Sequence, residues 1–414
     1  MARAAVTPST PQGTWSLRSI GVIAFGHGTS DFYSGMVPLL IFYLVIKQQH
    51  LSPFLQGVAG FAWYLTSSIV QPLFGWYSDA HGRWWFLPVG VLLTVTAVGA
   101  IGFTHDYPTL LALIAVGGLG SAIMHPEAGK YAAQVGSLRH GSAISIFQIG
   151  GQVGFGIGPA LIAYLLVHQG GSATALAAIP GLVAVAALLW AMPHVDARAR
   201  AGARVRTGSA SFGGAASSTL DISLLVGSTG LRYLATAAFM TYLPNVLIAR
   251  GESLVTAGQV VTAFLLVSSI GLFAGGFLGD RFGHRAVSFV SLALAVPALV
   301  GFFVFPAATG MLCLLVGSVL LAVQNAPGVA LTQALMPRNL GMALGLMNGV
   351  AFGAGSALVA LLGMQVERIG AAGTLYGVAF VPLAAAACFA MVGRRRARPA
   401  GPNGYLLDTR RERS

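Results

Sequence analysis

The sequence predicts an all-α integral membrane protein with 12 transmembrane helices in two six-helix bundles. Three observations support this fold class: the composition, the length of the apolar runs, and two motifs that occur once in each half. Of 414 residues, 56% are hydrophobic and only 8% are charged, whereas soluble domains carry about 25% charged residues. A water-soluble fold would have too few charges to cover its surface, so the expected solvent is lipid.

The apolar runs have the length of membrane-spanning helices. A helix needs about 20 residues to cross about 30 Å of hydrocarbon. Breaking the runs at Pro, Gly and charge clusters gives twelve expected spans: 18–46, 53–78, 84–104, 108–131, 140–167, 172–192, 222–249, 253–279, 286–306, 309–335, 341–366 and 371–393.

A polar segment divides these spans into two blocks. Residues 193–221 are rich in Arg, Gly, Ser and Ala and have no apolar period, which is typical of a flexible linker. The N-terminal bundle is therefore expected at 18–192 and the C-terminal bundle at 222–393. A tail at 1–17 and a basic tail at 394–414 complete the expected domains.

The basic residues predict the orientation. If the N-terminus is cytoplasmic, nineteen Lys and Arg lie on the inner side, three (Lys47, Arg250 and Arg368) lie outside, and Arg232 falls within a span. This bias places both termini in the cytoplasm of a multi-pass protein, and a bacterial inner (plasma) membrane is the expected location. The net charge of +12 lies in short gaps and the tail rather than on a soluble face, so no nucleic-acid partner is expected.

Two motifs repeat between the halves. GWYSDAHGR (75–83) and GFLGDRFGHR (276–285) share G-x-x-x-D-x-x-G followed by Arg, and their aspartates are 201 residues apart. FGIGPAL (155–161) recurs as FGAGSAL (352–358). Repeated six-helix blocks joined by a linker are typical of secondary transporters.

These loops resemble the cytoplasmic loop between helices 2 and 3 of the major facilitator superfamily. The stretch MHPEAGKYAAQVGSLRHGSAISIFQIGGQVGFGIGP (124–159) and HGTSD in the first span resemble its fosmidomycin resistance branch. The resemblance implies a proton-coupled antiporter that exports a small molecule, such as a phosphonate-type or other antibiotic, by alternating access. An importer of a small organic anion or metabolite, also proton-coupled, is the alternative on this fold.

Asp31 is the carboxylate placed most deeply in the membrane. It lies 13 residues after Arg18 and 16 before Lys47, or about 20 and 24 Å along a helix. A charge at the bilayer centre costs at least about 2.5–3.5 kcal/mol, which favours a functional role. His27 shares its helix face and could share or relay a proton. A hydrogen-bonded packing group is the alternative for Asp31, and a satisfied interior histidine for His27.

Glu127 is the only other carboxylate that can lie within a span. Pro126 should kink this helix, and in the HPE motif of the family the kink would turn His125 and Glu127 toward a cavity and into proton coupling. The alternative is an ion pair between Glu127 and Lys130 at the helix end.

Arg232 is the one basic residue within a span. It is expected either to hold a phosphonate or carboxylate or to reach the inner interface, and it could pair with Asp31 in one state. Further polar residues are expected to line the cavity or to form helix–helix hydrogen bonds: Gln148, Gln152, Asn245, Gln324 and Asn325.

The repeated loops are expected to act as a cytoplasmic latch, because glycine permits a tight turn and aspartate accepts from arginine or a helix N-terminus; solvated turns are the alternative. The latch residues are Gly75, Asp79, Gly82 and Arg83 in the first loop, and Gly276, Asp280, Arg281, Gly283 and Arg285 in the second. In the fifth span, Gly150, Gly154, Gly158 and Pro159 resemble an antiporter motif, and their spacing predicts close helix packing.

No enzyme motif was found. The chain lacks a P-loop, H-E-x-x-H and G-x-S-x-G, so no enzymatic activity, cofactor or metal is expected. Cys313 and Cys388 lie within apolar runs without metal-binding spacing. The expected partners are a small-molecule substrate, protons and the lipid bilayer, and the expected oligomeric state is a monomer.

Overall fold

A computed structural model describes residues 16–136, 140–203, 219–336, 343 and 345–392. Most of the expected N-terminal tail, part of the linker and the basic tail lie outside the described residues. Within them every regular element is helical.

The N-terminal half contains spans 1 to 6. Span 1 is Leu17–Ile41 with a π-helical end, Phe42–Gln48; span 2 is Pro53–Tyr64, π-helical Leu65–Ile69 and Gln71–His81; span 3 is Phe86–Ile101; span 4 is Tyr107–Gly136; span 5 is His140–Gln169; span 6 is Ala173–Ala203. Ser52 caps span 2 by accepting from the Leu55 N–H, and Pro53 occupies the first turn, where its missing donor costs nothing.

The C-terminal half contains spans 7 to 12. Span 7 is Thr219–Ala249; span 8 is Leu254–Phe282; span 9 is His284–Val304; span 10 is Ala307–Val323 with Asn325–Leu335; span 11 is π-helical Gly345–Ala351, then Phe352–Ala357 and the first part of Val359–Val378; span 12 follows and includes Val381–Met391. The chain turns between spans 11 and 12 at Gly370, whose φ of 77° suits glycine.

The predicted all-helical membrane architecture is confirmed. Eight described helices are long and apolar enough to cross a membrane, and two of these, 143–200 and 349–391, each contain two expected spans. Phe86–Ile101 is a shorter apolar helix, and span 2 is interrupted by its π-helical segment.

Span 6 differs from its expected length. It continues to Ala203, eleven residues beyond the expected end at 192, so the beginning of the expected linker is helical. Asp196 accepts from the Tyr131 hydroxyl at 2.7 Å and pairs with Arg200 one turn later at 2.9 Å. These contacts tie the extension to span 4 and stabilise it as a helix.

The two bundles meet on the side of the membrane reached by the C-terminal end of span 1, called here the distal side. Gln56 of span 2 hydrogen-bonds Asn245 and the Thr241 carbonyl of span 7. The backbone N–H of Phe54, in the first turn of span 2, donates to Glu367 of span 11 at 3.1 Å. These contacts join the halves near the distal ends of their helices.

Two further contacts complete this junction, which we call the distal seam. The Ala160 N–H of span 5 donates to the Thr262 hydroxyl of span 8 at 3.0 Å. A Cβ on Gly57 would lie 2.8 Å from Ala360 Cα, and one on Gly363 would lie 2.8 Å from Phe54 Cα. Glycine at both positions therefore lets spans 2 and 11 pack backbone against backbone.

Candidate transport site

Asp31 lies between two histidines. Its Oδ2 is 3.1 Å from Nε2 of His27, one turn earlier in span 1, and its Oδ1 is 3.1 Å from Nε2 of His125 in span 4. The exposed side-chain fractions are 17% for Asp31, 6% for His27 and 24% for His125. Three of the four residues predicted for proton coupling are thus in direct contact; we call them the triad.

Backbone carbonyls determine which nitrogen of each histidine carries a proton. His27 Nδ1 is 2.8 Å from the Phe147 carbonyl oxygen, and His125 Nδ1 is 2.8 Å from the Ser121 carbonyl oxygen. A carbonyl only accepts, so each Nδ1 must donate, and each Nε2 is left facing Asp31. Each Nε2–Oδ contact is then a hydrogen bond only when a proton lies in it, on the imidazole or on the carboxyl.

Glycines of span 5 bring its backbone against the triad. A Cβ on Gly28 of span 1 would lie 2.7 Å from the Gly150 carbonyl oxygen, and a Cβ on Gly154 or Gly158 would meet the backbone of span 1. On Gly151, it would lie 2.6 Å from His27 Nε2 and 2.7 Å from Asp31 Oδ2. The predicted glycine packing of this span therefore also positions the polar site.

Phe147 is a site residue that sequence reasoning missed. Its ring stacks on His27 with centroids 4.0 Å apart and planes 16° apart, and its carbonyl accepts from the same imidazole. It lies one turn before Gly151 on span 5. No sequence signal marks it, because a phenylalanine in an apolar span is ordinary.

Glu127 lies in a different cluster from the triad. It is fully buried and pairs with Lys130 Nζ at 2.9 Å, while it also accepts from the Ser78 hydroxyl. Lys130 donates to the Ser78 carbonyl at 3.0 Å as well. This is the helix-end ion pair that the sequence left open, and it joins span 4 to the end of span 2.

Arg232 is buried in span 7 with 3% exposure. Its Cζ lies 3.7 Å from the ring centroid of Tyr233, and its Nε and Nη2 have no hydrogen-bond partner among the described residues. Asp31 is not its partner in this structure. A buried cation with unsatisfied donors destabilises a protein. An anionic ligand that accepted hydrogen bonds from Nε and Nη2 would remove this penalty.

Arg232 and Asp31 occupy equivalent positions in the two halves. They are 201 residues apart, the same separation as Asp79 and Asp280, and Pro126 and Pro327 are also 201 residues apart. The acid of span 1 and the base of span 7 are therefore counterparts in the internal repeat. The sequence contains this equal spacing, but the loop motifs alone do not pair Asp31 with Arg232.

Gln324 extends the polar environment of span 7. It is fully buried, its amide donates to the Thr229 hydroxyl at 3.0 Å, and its Oε1 has no partner among the described residues. Thr229 lies one turn before Arg232. The Gln324 amide of span 10 and the Arg232 guanidinium therefore lie along the same stretch of span 7.

The remaining predicted cavity residues are dispersed. Asn245 belongs to the distal seam. Gln148 is exposed, and Gln152 and Asn325 are partly exposed. Their contact with a substrate stays a prediction.

The described contacts of the second loop do not include an aspartate–arginine pair. Asp280 faces His284 at 3.5 Å, Arg281 lies over the Phe282 ring at 5.5 Å, and Arg285 donates to the Ala390 carbonyl. Arg83 is exposed, and the side chain of Asp79 lies outside the described residues. The role of these loops as a latch stays a prediction.

Among the described residues, the triad is a group of His and Asp side chains whose donor atoms are close enough together to hold a metal ion. Its donor atoms lie within 4.8 Å of one another. The two 3.1 Å contacts are, however, hydrogen-bond distances. We therefore treat the three side chains as a hydrogen-bonded group, and the expected absence of a metal stays a prediction.

Comparison with known proteins shows the family. Residues 23–227 and 225–406 both match the Major Facilitator Superfamily. The chain belongs to this superfamily. The resemblance inferred from the two loop motifs is thus confirmed, and each match corresponds to one half of the internal repeat.

Two relatives match along nearly the whole length. An uncharacterized MFS-type transporter, YfnC of Bacillus subtilis, is 29% identical over 385 residues, covering 91% of this chain and 93% of that protein. The fosmidomycin resistance protein of Escherichia coli is 27% identical over 387 residues, covering 92% of this chain and 94% of that protein. The predicted branch is supported by the second relative.

Solved structures show the same fold. The inward-open xylose transporter XylE of Escherichia coli matches with a TM-score of 0.70 and 16% identity, covering 91% of this chain and 96% of that one. The nucleoside transporter NupG matches with a TM-score of 0.72 and 12% identity, covering 91% and 100%. These structures show the fold, and the family match with the two relatives identifies the chain as a transporter of the major facilitator superfamily.

Proposed function

We propose that this transporter exports a small anionic molecule, such as a phosphonate-type or other antibiotic, in exchange for protons. The observation that carries the proposal is the pair of charged sites at equivalent positions in the two halves. Asp31 is held between two histidines in span 1, and Arg232 is buried with unpartnered donors in span 7. One site suits a proton and the other suits an anion.

The triad has the properties of a proton carrier. Because both Nδ1 atoms donate to carbonyls, the two Nε2–Asp31 contacts need two protons between them. Removing one proton leaves a nitrogen lone pair facing a carboxylate oxygen at 3.1 Å, which is repulsive. The geometry of spans 1 and 4 then depends on the number of protons bound, and this is the link that coupled transport requires.

Arg232 suits the anionic group of a substrate. A guanidinium binds phosphonate or carboxylate through two parallel hydrogen bonds, and Nε and Nη2 are the two donors of one such edge. The relative named for fosmidomycin resistance is consistent with a phosphonate substrate.

The distal seam provides the closed side of an alternating-access cycle. With both termini in the cytoplasm, as the Lys and Arg distribution predicts, the seam faces the outside of a bacterial inner membrane. Export would then require the hydrogen bonds at Gln56, Asn245 and Glu367 to break and reform in each cycle.

Transport in proteoliposomes tests this function. A lumen made acidic relative to the bath should drive fosmidomycin into the lumen against its gradient. Asp31→Asn should abolish this uphill accumulation, because amide cannot release a proton, while downhill exchange of the drug continues. Uphill accumulation with normal pH dependence in Asp31→Asn would contradict the proposal, and loss of activity in EDTA would indicate a metal in the triad instead.

Cells distinguish export from import. Expression should lower the retention of fosmidomycin relative to cells without the protein. Greater retention would instead identify the importer, which the same fold and the same proton site would serve.

A further inference from the structure

We infer that the two protons of the triad have different fates: the proton between His125 and Asp31 exchanges with water during transport, whereas the proton between His27 and Asp31 stays bound. This inference rests on the proposed proton-coupled function. It assigns proton exchange to one of the two histidine–Asp31 contacts, which are both 3.1 Å long.

The contact between His27 and Asp31 is sealed by span 5. The Phe147 ring covers one face of His27 at 4.0 Å between centroids, and the Phe147 carbonyl binds Nδ1. The backbone at Gly151 lies against the contact itself, since a Cβ there would lie within 2.7 Å of both His27 Nε2 and Asp31 Oδ2. Water has no room to approach the proton from this side.

The contact between His125 and Asp31 is less enclosed than the contact between His27 and Asp31. The His125 side chain is 24% exposed against 6% for His27. Its ring meets the His27 ring in a T-shaped arrangement, with the centroids 5.0 Å apart. His125 is therefore the imidazole of the triad with more exposed surface, and the exchange of the proton with water is assigned to its contact with Asp31.

No other charged side chain contacts Asp31 within the described part of the chain. His27 faces it from its own span, His125 faces it from span 4, and span 5 packs Gly151 against Asp31 and Phe147 against His27. The two histidines are thus the groups that share protons with this carboxyl.

Release through His125 has a direct mechanical consequence. The proton passes from the His125–Asp31 contact to water, and the charge of the triad falls by one. His125 Nε2 and Asp31 Oδ1 then repel each other, while His27 keeps Asp31 attached to span 5. Pro126 removes the N–H that would bond to the Ala122 carbonyl, so span 4 is weakened at this point and is the element that moves away.

Matched glutamine variants test the assignment. The Gln amide nitrogen reaches the position of the imidazole Nε2 and donates a hydrogen bond, but it does not titrate at physiological pH. Proton release on adding fosmidomycin is measured with a pH-indicator dye on purified protein, and drug binding is measured in parallel. His125→Gln should bind the drug without releasing protons, whereas His27→Gln should still release them.

The outcomes separate this inference from the proposed function. If the wild-type protein binds fosmidomycin and releases no protons, proton coupling itself fails. If the wild type releases protons and His125→Gln does so too, or if both variants lose release equally, only the assignment to His125 is overturned.

Chemical labelling of the unmodified protein provides a test that needs no variant. Diethyl pyrocarbonate modifies accessible imidazoles, and peptide mass spectrometry gives the rate for each histidine. His125 should react faster than His27 and slower than the exposed His168, which is the internal reference. Faster modification of His27 than of His125 would overturn the inference.

Discussion

The side-chain amides of Gln56 and Asn245 exchange two hydrogen bonds across the junction of the two bundles. Gln56 Nε2 donates to Asn245 Oδ1 at 3.1 Å, and Asn245 Nδ2 donates to Gln56 Oε1 at 3.0 Å. Gln56 is fully buried and also donates to the Thr241 carbonyl at 2.7 Å. Neutral hydrogen bonds thus hold this part of the distal seam, which suits a junction that opens in each cycle.

Gln56→Ala should shift the transporter toward a state open on the distal side. It removes both hydrogen bonds to the half-buried amide of Asn245, and a hydrogen bond of this kind contributes about 0.5–1.5 kcal/mol. With Cys313 and Cys388 replaced by serine, Thr241→Cys should react faster with a membrane-impermeant maleimide in the Gln56→Ala background. Gln169→Ala removes an exposed amide and is the control; equal labelling in both backgrounds would contradict the assigned role of the seam.

Gly151→Ala should abolish pH-driven accumulation of the drug. The new methyl group would lie 2.6 Å from His27 Nε2 and 2.7 Å from Asp31 Oδ2, so the triad could not keep its geometry. Gly21→Ala is the matched control, because nothing lies within 4 Å of a Cβ at Gly21. Both variants are compared in proteoliposomes after size-exclusion chromatography, and wild-type rates for Gly151→Ala would refute this steric argument.

Arg232→Met should separate substrate binding from stability. Methionine removes a buried charge whose Nε and Nη2 are unpartnered among the described residues, so the melting temperature without ligand should stay equal or rise. The stabilisation that fosmidomycin is expected to give the wild type should disappear in this variant. Arg250→Met is the control and should keep the stabilisation by fosmidomycin; the Cζ of Arg250 lies 4.5 Å from the Phe302 ring centroid. If fosmidomycin still raises the melting temperature of Arg232→Met, the anion binds elsewhere.

Glu127→Gln should retain pH-driven transport and lose stability. Its ion pair with Lys130 and its bond from Ser78 join spans 2 and 4, and neutralising one partner should cost about 1–3 kcal/mol. Thermal unfolding measures the loss, and Asp31→Asn is the comparison for transport. If Glu127→Gln loses uphill transport as completely as Asp31→Asn, Glu127 carries protons, as the HPE motif suggested.

The contacts of the triad show which parts of the site the sequence could predict. Asp31 and His27 are paired by helix geometry alone, since residues four apart share a face, and both were expected. The sequence named His125 as well, but together with Glu127, and it could not tell which of the two reaches Asp31. In the structure His125 turns to Asp31, whereas Glu127 turns to Ser78 and Lys130.

The sequence by itself determined the all-helical membrane class and the division into two repeated halves, and it singled out Asp31 and Arg232 as charged residues within the spans. Hydropathy, span length and the scarcity of charge are local properties that need no knowledge of packing. Only the tertiary structure decided the contacts of His125 with Asp31, His27 with Phe147 and Gln56 with Asn245, which join residues 94, 120 and 189 positions apart. Such contacts depend on how each helix is rotated and how closely it crosses its neighbours, and an almost uniformly apolar span does not encode its rotation in its hydrophobic pattern.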